Sequence, residues 1–138
     1  MMKDLKATSA FDVRPIGMIR STLQSLKDCP LQEAEGAPEA YINFETEYVD
    51  GIKDIEAGDK LIILTWLHLA DRGVVRCHKR NDVGSKAFGV FSTRSPDRPN
   101  PIGFHVATVL EKVNVNTIKV FPMEALNGTP VIDIKPYN

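Results

Sequence analysis

The run from Gly89 to Gly103, GVFSTRSPDRPNPIG, concentrates more chemically able side chains than any other part of the sequence. Pro96, Pro99 and Pro101 fix φ, lack an N–H and push the residue before each into extended geometry, so Ser95, Arg98 and Asn100 sit on a stiff, non-helical track. Arg94 offers a permanently charged fork whose geometry suits a carboxylate or a phosphate. A segment that only joins two strands does not need this density of arginine, asparagine and proline, so binding is the favoured reading.

A second segment, LNGTPVIDIKPY over residues 126–137, places a turn at Asn127-Gly128 and then a strand over 131–134. That strand sets Asp133 among apolar neighbours, where a carboxylate needs a partner. Lys135 follows two residues later on the same face, so an internal pair of Asp133 with Lys135, or with an arginine, stands beside a functional role.

The elements that must carry these segments are mainly strands. Residues 1–12 form a flexible lead-in, and residues 13–138 form a single domain. Residues 13–21 read as an edge strand interrupted by Pro15, and residues 26–39, rich in acids, Pro and Gly, as a surface loop. Residues 41–49 alternate as a half-buried strand, with Ile42, Phe44, Thr46 and Tyr48 on one face. One helical turn fits residues 52–58, and a buried strand fits 60–68, with His68 at its exit. Further strands are expected over 73–78, 87–93, 104–113, 117–121 and 131–134. Strands without alternating helices predict a mainly β fold: a small, mostly antiparallel barrel with few short helical turns, the sandwich being the other all-β arrangement.

With 138 residues, 43% of them hydrophobic and 25% charged, the chain fits one domain with one core and lacks the composition of disorder. The longest apolar run, residues 61–67, is too short for a membrane helix, and no signal-peptide pattern opens the chain, which predicts a cytoplasmic protein. Reduced thiols are expected at Cys29 and Cys77. Cys77-His78 is one adjacent pair without a second ligand pair, and His105 falls on another strand, so no metal site is expected. No GxSxG elbow supports nucleophilic hydrolysis. The net charge of −1 hides an uneven distribution: Arg72, Arg76, Lys79, Arg80, Lys86, Arg94 and Arg98 face only Asp82 and Asp97 within residues 72–98. Such a stretch on a mildly acidic body suits contact with a phosphate backbone, a solvated loop being the plainer alternative.

Taken together, the two motif segments resemble the TsaA-like or TrmO methyltransferases, whose members look like GVFxTRSPxRPNPIG followed by DGTPVxDIKPY. The similarity extends to residues 16–21 and 61–68, so it covers most of the chain from Val13 onward. It implies a small antiparallel β-barrel that uses S-adenosyl-L-methionine, works as a homodimer with cofactor sites near the subunit boundary, and methylates N6 of threonylcarbamoyladenosine beside the tRNA anticodon. In the positions matching the family's cofactor region stand His68, Leu69, Arg94, Phe104, Phe121, Pro122, Met123 and Glu124. Asn100, Asp133, Lys135 and Tyr137 match motif letters as catalytic candidates, with no general base assigned; Lys79, Arg80 and Arg98 are substrate-binding candidates. Asn127 stands where the family usually has Asp, and Leu31 where a Pro-x-Gln stretch usually carries Arg. A non-catalytic cofactor-binding module that regulates a partner, and a methyltransferase for a small molecule, are the competing functions; salt-sensitive tRNA binding separates them from the first.

Overall fold

The computed structural model describes residues 10–23, 38–77 and 87–138. Cys29, Leu31, His78, Lys79, Arg80, Asp82 and Lys86 lie outside the described residues.

Six strands close into an antiparallel barrel, in the order β1 (Gly17–Arg20), β2 (Ala40–Phe44), β7 (Thr117–Phe121), β6 (Ile102–Asn114), β3 (Lys60–Trp66) and β8 (Pro130–Pro136). The intervening β4 (Arg76–Cys77) and β5 (Phe88–Gly89) form a separate two-stranded ribbon. The alternation that defines a half-buried strand is strictest in β3 and β6. In β3, Leu61, Ile63 and Thr65 are buried while Lys60, Ile62, Leu64 and Trp66 turn outward; in β6, Gly103, His105, Ala107 and Val109 are buried. Of these, Leu61, Ile63, Ala107 and Val109 join Ile19, Ile42, Phe44, Ile118, Val120, Met123 and Val131 in one core.

Closure changes three of the expected elements. The strand predicted at the start of the chain is no edge: β1 pairs with both β2 and β8. The strand expected over 41–49 ends at Phe44, and Thr46–Ile52 forms a 3-10 helix in which only Ile52 is buried. Its pairing with β7 runs out there, because β7 begins at Thr117 opposite Asn43 and the Phe44 N–H already donates beyond it, to the Asn116 carbonyl at 2.7 Å. The strand expected over 87–93 survives only as Phe88–Gly89, continuing into the 3-10 turn Val90–Ser92. The Asn127-Gly128 turn is present, with Gly128 at φ 92°, a conformation that favours glycine.

Candidate functional site

The chain leaves the barrel at Trp66 and re-enters at Ile102, and these two residues are paired neighbours on β3 and β6. The excursion between them is closed at its base by the Leu67 N–H donating to the Pro101 carbonyl at 2.8 Å. Arg72 ties its two halves together: Nε donates to the Pro99 carbonyl at 2.7 Å and Nη2 to Asn100 Oδ1 at 3.2 Å, while the guanidinium lies 5.1 Å from the Trp66 ring centroid. Asp97 Oδ1 accepts from the Asp71 N–H at 2.8 Å, a second cross-tie.

Within the motif run, one edge of the Arg98 guanidinium faces three carbonyls. Nε donates to Ser95 O at 2.7 Å, and Nη2 donates to Val90 O at 3.0 Å and to Thr93 O. Hydroxyl groups finish the turn: Thr93 Oγ1 donates to Val90 O at 2.9 Å and accepts the Ser95 N–H, and Ser95 Oγ accepts the Asp97 N–H. The prolines stiffen the backbone, and this network fixes where it goes. Arg94 projects from the exposed side of the run, its guanidinium 5.7 Å from the Phe104 ring centroid.

Phe104 belongs to an apolar outer wall. Its cross-strand partner is Leu64, while Ile62 faces Val106 and Trp66 faces Ile102, all turned away from the core. Leu69 and His68 are exposed just beyond β3, beside the base of the excursion. Arg94, Phe104, His68 and Leu69 thus gather at one end of the barrel. Phe121 is also exposed on the outer surface, but it pairs with Thr108, four residues further along β6, about 13 Å from the Phe104 position. Pro122 and Glu124 follow it half-buried, and Met123 is fully buried in the core with its N–H on the Pro38 carbonyl at 3.0 Å.

The catalytic candidates do not gather at one point. Asn100 lies in the excursion, held by Arg72. Asp133 and Lys135 leave β8 outward, opposite Leu64 and Ile62, and form an ion pair at 3.1 Å. Asp133 Oδ1 also accepts the Ile134 N–H at 2.9 Å. Tyr137 lies under Lys60 Nζ, 5.6 Å from its ring centroid, about 20 Å along β3 from Trp66. Asp133, Lys135 and Tyr137 border an open groove of about 790 Å³ with Tyr48, Ile55 and Asp59.

Inside the barrel, beneath the excursion, Thr65 Oγ1 and His105 Nε2 are 3.0 Å apart and both residues are buried. Neither this pair nor Arg72 was legible beforehand, because their partners stand 40 and 28 residues away. Asn127 Oδ1 accepts the Ser21 N–H at 3.1 Å, an acceptor role that an aspartate oxygen also fills. Among the described residues, no group of three or more His, Cys, Asp or Glu is placed to hold a metal ion, and no helix is long and apolar enough to cross a membrane.

A small closed antiparallel barrel bearing one long, arginine-braced excursion between adjacent strands is the class of domain these features define. The chain belongs to the family of the tRNA-methyltransferase O N-terminal domain, whose family model matches residues 18–138. It is 41% identical over 125 residues to a probable S-adenosyl-L-methionine-binding protein of Methanothermobacter thermautotrophicus, covering 91% of this chain and 88% of that protein. An S-adenosyl-L-methionine-binding protein of Archaeoglobus fulgidus is 40% identical over 126 residues, with coverage of 91% and 88%. The crystal structure of TrmO from Pseudomonas aeruginosa superposes with a TM-score of 0.72 at 27% identity, covering 94% of this chain and 56% of that one. This chain therefore spans little more than half the length of that solved protein.

Proposed function

We propose that this protein is an S-adenosyl-L-methionine-dependent methyltransferase that modifies tRNA, with N6 of threonylcarbamoyladenosine beside the anticodon as the methyl acceptor. The observation that carries the reading is the Arg94 guanidinium set against the exposed Phe104 ring at 5.7 Å, on the motif loop of a chain that belongs to a tRNA-methyltransferase domain family.

The residues present fit the cofactor. Arg94 suits its carboxylate, and the exposed rings of Phe104 and Phe121 suit its adenine or its cationic sulfonium. His68, Leu69 and the backbone of residues 121–124 would complete the binding surface. When bound, the cofactor supplies an electrophilic methyl group for direct displacement. The protein's own contribution is then orientation and exclusion of water. Arg98 and Arg72 keep the loop that bears Arg94 and Asn100 in one conformation, so alignment is not lost to loop motion. The resemblance to the family supports a homodimer with the cofactor sites near the subunit boundary. The exposed apolar wall of Ile102, Phe104 and Leu110 suits that contact. A tRNA substrate places the protein in the cytoplasm.

A second reading, a non-catalytic cofactor-binding module, is favoured by one observation: Asp133 and Lys135, two of the catalytic candidates, bond to each other. Transfer of labelled methyl from S-adenosyl-L-methionine to total tRNA from cells lacking this gene decides between them. Label on adenosine N6, lost in Arg94→Ala, is the expected outcome. Cofactor binding without transfer to tRNA overturns the enzyme reading and leaves the module, while transfer to a small molecule alone leaves the third alternative.

A further inference from the structure

Among the described residues, Phe91 is the most exposed large apolar side chain, at 80%. Its position is not that of a loosely held surface residue. It occupies the middle of the 3-10 turn Val90–Ser92, whose first residue is held by the Arg98 and Thr93 bonds to Val90 O and by the Val90 N–H donating to Val75 O at 2.9 Å. An aromatic ring is thus presented to solvent beside a held backbone. The described part of the excursion is basic in sequence, with Arg72, Arg76, Arg94 and Arg98 against Asp71 and Asp97, and Arg76 pairs on β4 with Gly89, two residues before Phe91. Both aspartates accept backbone N–H groups, Asp71 from Gly73 and Asp97 from Asp71.

An exposed ring amid arginines is the pairing that binds unpaired nucleotides, cations tracking the phosphates while the ring stacks on a base. We propose that Phe91 is a stacking platform for an unpaired base of the RNA substrate, with Arg76 beside it on β4 to meet the backbone. The inference rests on the tRNA reading above. It adds a contact outside the cofactor wall, since Phe91 and Phe104 belong to different elements.

The test measures binding of total tRNA to the whole protein at several salt concentrations, with S-adenosyl-L-methionine affinity, oligomeric state and thermal stability followed in parallel. Phe91→Ala is expected to weaken tRNA binding roughly 5- to 100-fold with the salt slope and cofactor affinity unchanged. Phe91→Trp should keep wild-type affinity, whereas Phe91→Leu, which preserves apolar bulk without a π-face, should behave like alanine. Unchanged tRNA affinity in Phe91→Ala overturns the platform and leaves the tRNA reading intact, as does wild-type affinity in Phe91→Leu. A change of oligomeric state without a change in tRNA affinity assigns Phe91 to a protein contact and overturns it too. Wild-type protein that binds cofactor but not tRNA removes both. Because the side chain is exposed, the variants are expected to stay folded, and unchanged melting curves check this.

Discussion

A methyl group on residue 103 would run into Thr65 Oγ1 and meet His105 Nε2 at 3.0 Å and Leu67 Cδ2 at 3.1 Å. The glycine that ends the motif run therefore makes room for a polar pair inside the barrel. Gly103→Ala should destabilise the protein by about 1–3 kcal/mol, and Thr65→Ala in the same chain should recover part of the loss; denaturant titration of the three proteins checks both. Gly17 differs in what it faces: its added methyl would meet the backbone carbonyl of Asn43 at 2.6 Å. Since backbone cannot swing aside as a side chain can, Gly17→Ala should be the more damaging change and should open the β1 to β2 pairing, seen as faster amide exchange there. Lys119 supplies the titration that the geometry resolves. Its hydrogen bond to Glu39 at 2.9 Å, reinforced by Coulombic attraction, raises its pKa above the ordinary 10.5. A cation whose folded pKa is raised stabilises fully below its unfolded pKa, and that contribution fades as pH rises through the folded value. Glu39→Gln should lower the Lys119 midpoint in an NMR titration and leave stability at neutral pH nearly unmoved.

β3 and β6 lie close to where their apolar runs placed strands, but their inward faces were not legible, because Ile62, Leu64, Ile102, Phe104 and Val106 are apolar and turn outward while His105 is buried. Residues 45–49 alternate, but they have no partner strand once the barrel has closed around β1 and β2, and no local pattern reveals that. The motif loop was legible as a rigid, arginine-bearing track. Its bracing was not, because the bonds from Arg72 and Asp97 span 26 to 28 residues. The arrangement around Arg98 gives this scale its prediction. A lysine keeps the charge but cannot reach Ser95, Val90 and Thr93 carbonyls from one planar edge. Arg98→Lys should therefore lower cofactor affinity by at least about tenfold while the melting temperature falls by only a few degrees, since the barrel does not depend on this loop. Calorimetric binding and thermal melts separate the two effects.

Over the whole molecule, formal charge is nearly balanced at −1, yet the described part of the excursion carries four arginines and two aspartates. If this face meets phosphates, tRNA affinity should fall steeply with salt, and Arg76→Gln should reduce the magnitude of the salt slope by about one without altering cofactor affinity. A binding series from low to physiological ionic strength reads this directly.

The excursion starts and finishes on neighbouring strands, and one bond, from the Leu67 N–H to the Pro101 carbonyl, shuts its neck. Beyond that neck, the excursion meets the barrel through Arg72 against the Trp66 ring and Arg94 against the Phe104 ring. A short hairpin grafted across the neck should leave a folded but ligandless cylinder, and a loop transplanted from a relative should bring its own selectivity with it.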